Sequence, residues 1–359
     1  MSGLFEPANY GGYDSLFFGT YSLNNNKNAL DAFVAKFDKN GNIQWATQSK
    51  YISKRDMPIA SGFITSTDKT GNIYLAANFR DTITIGPDTL KSIVFAPYLV
   101  KISPTGSVLW SRQGSFPQGD TGWATVNYVS TDIKGNSYIA GIFFGPAVTF
   151  GQDTIYGNKN GNSFLVKYNT NGDVVWSKAS IAKSNYGGAT SWGDALDKFG
   201  NIYITGLVYD TVYFGKDTLV GNNNNTFFLA KYDSNGNVRW ARQSQEPSVY
   251  CSAAGTNATC DQFGNIFVTG LFQDTIILGN KTLRRNFTWA QASDIFVVMY
   301  DSSGKLHWAL QDSSNDPGGT QPSGISSDTI GHIYVSGGGS GNGNFSVKVD
   351  DTILMTNDT

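Results

Sequence analysis

The chemically capable side chains of this chain are few. Its 359 residues contain two histidines, two cysteines and two glutamates, Glu6 and Glu246. His307 and His332 stand apart, and neither has a second His or a Cys at the spacing a bound metal needs. Cleaving a glycosidic bond takes two converging carboxylates, one with a raised pKa. Glu246 lies in a connection and is the one glutamate such a pair could use, but a solvated loop residue is the simpler reading. The other acids are aspartates, and most of them recur at fixed turn positions, as structural groups do. The exception is Asp194, which follows Trp192 by two residues. Regular strand alternation would put that ring and that acid on one side, a pairing that could stack on a ligand and hydrogen-bond to it.

What positions these residues is a repeat. Gly71-Asn72-Ile73-Tyr74 recurs at Gly135, Gly200, Gly264 and Gly331, in steps of 64, 65, 64 and 67 residues. The tryptophans Trp45, Trp110, Trp176, Trp240 and Trp308 follow the same period. Two independent markers on one period define a tandem array of one supersecondary unit. Within a unit, short runs rich in β-branched and aromatic residues alternate with Gly, Asp and Asn turns, and no window shows helical periodicity. In residues 57–113 the strands fall at 62–67, 72–79, 81–86, 98–102 and 107–111, with 91–97 as an inserted loop. Asp68, Asp132, Asp197, Asp261 and Asp328 each precede a Gly by three residues. Asp caps such a turn and Gly takes its left-handed position, whereas a calcium loop would need denser carboxylates and a distal Glu.

Four main strands plus a short extra hairpin, repeated with Gly and aromatic markers, make a β-propeller blade, so the expected class is an all-β propeller of about five blades. The units fall at about 57–113, 121–179, 186–243 and 250–311, with a fifth assembled from 14–50 and 319–359 so that strands from both termini close the ring. Residues 1–12 read as an extension and 13–359 as one domain. The best-matching unit runs from Asp197 to Gly206, Asp210 to Gly215 and Phe228 to Trp240. Its pattern resembles the bacterial β-propeller repeat called SBBP, and all five units share it. The resemblance implies a secreted or cell-surface bacterial protein, and it says little about activity.

Repeated residues read as scaffold. Lys36, Lys101, Lys167 and Lys231 share one position, which Met299 fills in the fifth unit, so their stems pack and their ammonium groups meet an Asp or a carbonyl. Cys251 and Cys260 bracket an extended segment too long for a disulfide and read as small buried apolar groups. Non-repeated residues read as recognition. The tight turns share one face, and the variable connections on the other present Trp123, Tyr186, Tyr250, Arg284, Arg285 and Trp289. Trp192 lies on the innermost strand, where other units carry Phe63, Asn127, Thr256 and Ser323. The ligand candidates are therefore Trp123, Tyr186, Trp192, Asp194, Arg284 and Trp289.

Net charge is -2 with no basic stripe, which argues against nucleic acid. No apolar run reaches the length of a membrane span, and Met1 opens no signal peptide. The expectation is a monomeric binding or display module without cofactor or metal, contacting a glycan or a protein through its variable loops. A glycan-active enzyme and a pure spacer are the alternatives. Asp-Thr followed by an aliphatic residue recurs, and it resembles a short bacterial O-glycosylation sequon. A strand start after a turn explains it equally.

Overall fold

The computed structural model describes residues 1–5, 15–24, 31–51, 61–117, 122–222, 225–285, 292–312, 319–328, 330–339, 346–349 and 352–355. Every regular element among them is a β-strand, and the strands pair antiparallel. Contacts divide the chain into two units, Met1–Lys159 with Phe164–Ala179, and Asn160–Ser163 with Ser180–Thr359.

The repeat is visible as a sheet. In the second unit Gly188–Leu196, Ile202–Tyr209, Thr226–Tyr232 and Val238–Gln243 are hydrogen-bonded in that order, and Ser252–Cys260, Ile266–Gln273, Asp294–Tyr300 and Leu306–Gln311 repeat it. The extra hairpin is also present, as Thr211–Phe214 paired with Asp217–Val220 and Thr275–Leu278 paired with Lys281–Arg284. The second and third strands of each sheet are buried along almost their whole length. Burial on both faces explains why they read as continuous apolar runs rather than as alternating ones.

The turns are as the Asp and Gly spacing predicts. Asp132 Oδ1 accepts the N–H groups of Lys134 and Asn136, Oδ2 accepts the Asn136 amide, and Gly135 adopts φ 80°. Asp68, Asp197 and Asp261 repeat this set, so their carboxylates are consumed by their own turns. At Asp328 the ring of His332 replaces the Asn amide, with Nδ1 2.9 Å from Oδ2.

One device links successive repeats. Within the first unit Trp45 Nε1 and Lys36 Nζ both donate to the Pro104 carbonyl, each at 2.9 Å. Trp110 and Lys101 both donate to the Thr170 carbonyl at 3.1 Å. In the second unit Trp240 and Lys231 converge on Ser302 at 3.1 and 2.8 Å. The lysine's partner is thus a carbonyl, and its ammonium also lies over a tyrosine ring, 5.2 Å from Tyr203. The turn glycine beyond that carbonyl packs on the indole, and a Cβ on Gly106 would fall 2.8 Å from the Trp45 ring. That position needs glycine for space as well as for its φ of 91°.

Three expectations are corrected. Residues 91–97 are not a loop, because Ile73–Ile85 and Asp88–Ile102 run on as two long paired strands that absorb the extra hairpin. Residues 2–5 are not a mere extension. Ser2–Phe5 pairs with Asp31–Phe37. Ile333–Gly339 pairs with Thr320–Ser327 as a two-stranded sheet. Third, the inner strand of the repeat is not regular. Its register shifts at 127, 192, 256 and 323, which makes each of these residues the extra one of a β-bulge.

Candidate binding groove

That bulge separates Trp192 from Asp194. Ser191 pairs with Gly206 and Gly193 with Thr205, so Trp192 drops out of the ladder and the alternation resets. Trp192 is 37 % exposed while Asp194 is buried at 7 %. The regular alternation from which their pairing was inferred is therefore broken between them. Gly193 lies against the neighbouring inner strand, where a Cβ would sit 2.8 Å from the Thr256 carbonyl.

Of the remaining candidates, Tyr186 and Arg284 occupy separate places in the second unit. Tyr186 projects at 80 % exposure from a turn whose backbone N–H it donates to Ser184 Oγ. Tyr250 does the same one repeat later, through Ser248. Arg284 is exposed on an edge strand, where Gln311 clasps its backbone N–H and carbonyl. Its neighbour Arg285 is instead buried, with Nε 2.9 Å from Asp294 Oδ1. Trp289 lies outside the described residues. Both cysteines are free, Cys251 buried and Cys260 half-buried, in keeping with the extended strand Ser252–Cys260.

Glu246 is not a freely solvated loop residue. It takes the hydroxyls of Thr226, at 2.7 Å, and Ser244, and burial raises its pKa above the ordinary carboxylate range. Asp312 sits at the same strand end one repeat on and accepts the Ile295 N–H and the Thr320 hydroxyl. Burial pushes it up to about 6. In the first unit Asp31 is raised to about 7, also chiefly by burial.

The groove is built in the first unit around Trp123. The ladder of Ile73–Ile85 with Asp88–Ile102 pairs Phe79 with Ala96 and then Asp81 with Ser92. Arg80 on one strand, and Ile93, Val94 and Phe95 on the other, therefore leave the ladder as a wide bulge. Those four residues, with Trp123 and Thr125, line an open groove of about 490 Å³. Trp123 is paired across its strand with Phe144, and the two rings stack with centroids 4.2 Å apart at 22°. Arg80 is held by its Nε, which donates to the Ile93 carbonyl at 3.2 Å. The lining is one guanidinium and one hydroxyl set among large apolar groups. Trp123 was legible in the sequence as an aromatic on a variable connection. Arg80 and Ile93–Phe95 were not, although an apolar run in an insertion was the signal available.

No family model matches the chain. It is 25% identical over 375 residues to an uncharacterized WD repeat-containing protein, L264, of Acanthamoeba polyphaga mimivirus. That alignment covers 86% of this chain and 26% of the relative, so the chain spans about a quarter of that protein's length. Among solved structures it is similar to a protein of unknown function from Bacteroides caccae, with 12% identity, a TM-score of 0.33, and coverage of 79% of this chain and 89% of that one. The distant relative is a repeat protein, as this chain is.

Proposed function

We propose that the chain is a non-catalytic protein-binding module built on β-propeller repeats, with the Trp123 groove as its recognition site. The observation that carries this reading is the groove's lining. A sugar ring would need several polar partners for its hydroxyls, and burying them unpaired costs free energy. A groove with Arg80 and Thr125 as its polar side chains suits an apolar side chain of a protein partner better. The blade architecture is supported by the repeating four-stranded sheet and by the resemblance to a propeller repeat. Closure at five blades by both termini is the less favoured arrangement, because Ser2–Phe5 holds the edge of Asp31–Phe37 that it would use. Display on a secreted or cell-surface bacterial protein rests on the resemblance and on the aromatic-rich, charge-poor composition.

A random dodecapeptide library panned on the parent, with Trp123→Ala as counter-selection, tests the reading. Peptides that bind the parent and not the variant are expected. Enrichment indifferent to Trp123 overturns it. A glycan-array signal lost in Trp123→Ala would move the ligand class to sugars, and turnover of a bound glycan would move the protein to the enzymes.

A further inference from the structure

Within that reading, the groove also specifies the chemistry of what it holds. Among the described residues, Arg80 is fixed at the bulge by one side-chain bond, from Nε to the Ile93 carbonyl. Among the described residues no partner is found for its two terminal nitrogens. A guanidinium held by Nε keeps its plane and presents both terminal nitrogens side by side, the geometry that a carboxylate takes with two parallel hydrogen bonds. The neighbouring wall is apolar: Ile93 is 75% exposed, Trp123 is 40% exposed, and Val94 and Phe95 lie between them in the lining. Exposed apolar side chains around an oriented cation do nothing for the repeat fold. In the second unit the equivalent strands stop at Tyr209 and Gln273, before their hairpins, instead of running on into them.

We infer that the groove takes a peptide segment of a partner protein in which a large apolar side chain adjoins a carboxylate. The apolar side chain lies against Trp123, whose ring is braced by Phe144. The carboxylate pairs with the terminal nitrogens of Arg80. The groove's volume lies within the range of small-ligand sites and admits two or three residues rather than a long segment. The charge complementarity sets the acid, and the wall sets the apolar neighbour.

The test compares two fluorescein-labelled hexapeptides, Gly-Ser-Asp-Phe-Ser-Gly and its Asn-Phe counterpart, by anisotropy against the full chain. The acid peptide is expected to bind about tenfold more tightly in low salt, with the gap narrowing at 0.5 M NaCl. Arg80→Gln should make the two peptides equal without weakening the Asn-Phe peptide. Trp123→Ala should weaken both. Equal affinities for the parent, a preference that survives Arg80→Gln, or no binding of either peptide each overturn the inference. Peptides from the library that need Trp123 but show no acidic preference would overturn it while leaving the binding reading in place.

Discussion

The two ends of the repeat's strands are made by opposite rules. At the tight-turn end the same groups return: an Asp saturated by its own turn, a glycine at positive φ, and, at Trp45, Trp110 and Trp240, a Trp and a Lys meeting on one carbonyl of the following repeat. At the other end one position holds Asp31, Ala96, Asn162, Thr226 and Asp294 in turn, and a position at the end of the next strand, one residue off in register, holds Ser49, Gly114, Ser180, Ser244 and Asp312. The first end is a fixed interlock, where any change meets a neighbour. The second is a set of local solutions, some buried and polar, one opened into a groove. Under the proposed binding role, stacking and recognition are divided between the two ends.

The largest expected effect tests the interlock against its own exception. Trp240 is buried at 6 %, bonds to Ser302, and has the turn glycine Gly304 packed on its ring. Trp308 holds the same position in its sheet but is only half-buried, and among the described residues no hydrogen bond from its indole is found. Trp240→Ala should cost about 3 to 5 kcal/mol in urea melts, the range for deleting a buried aromatic. Trp308→Ala should cost clearly less. Equal losses at the two positions would show that the carbonyl and the glycine add nothing to ordinary burial.

A middle-sized effect separates the ends by pH. Asp312 is raised by burial to about 6, against an ordinary value near 3.8. Its native state therefore binds a proton that the unfolded chain has already released. The cost of burying the charge is absent below about pH 4, grows through the interval up to about pH 6, and is complete above it. Stability of the second unit should thus fall from this group as pH rises from 4 to 6.5, the reverse of a turn aspartate. Asp312→Asn keeps an acceptor for the Ile295 N–H and should flatten that part of the profile in thermal melts at stepped pH. A profile unchanged by the substitution would remove Asp312 as its source.

Much of the fold was legible because its determinants are local. Asp132 and Gly135 close a turn with each other, and Trp45, Trp110 and Trp240 each find the same seat on the following repeat. Parity along the inner strand was not legible. Placing Asp194 beside Trp192 assumed an unbroken alternation, and a bulge depends on which cross-strand partners the backbone finds, which nothing in Ser191-Trp192-Gly193 announces. The groove was hidden for the same reason, since Arg80 and Ile93–Phe95 become neighbours only when the ladder skips. The edge beside Asp31–Phe37 went to Ser2–Phe5, a segment lacking the repeat's markers.

The smallest effect lies at the variable end and sharpens what exposure means there. Tyr186 and Ser184 belong to one turn but do different work. The tyrosine ring is 80% exposed, and the bond to Ser184 uses its backbone N–H, which alanine would retain. Tyr186→Ala should leave stability within about 0.5 kcal/mol. Ser184 Oγ accepts the N–H groups of Tyr186 and Gly187 and donates to Asp210 Oδ2 at 2.6 Å. That donated bond is the leading reason the Asp210 carboxyl titrates below its ordinary value. Asp210 also sits at φ 55°, a backbone angle that needs such support. Ser184→Ala should therefore cost more stability than Tyr186→Ala, since it removes three hydrogen bonds of the turn. It should also return the Asp210 resonance in a carbon-detected titration toward the usual range. If the tyrosine proves the costlier of the two, its ring is packed on something, and the variable end is less free than its exposure implies.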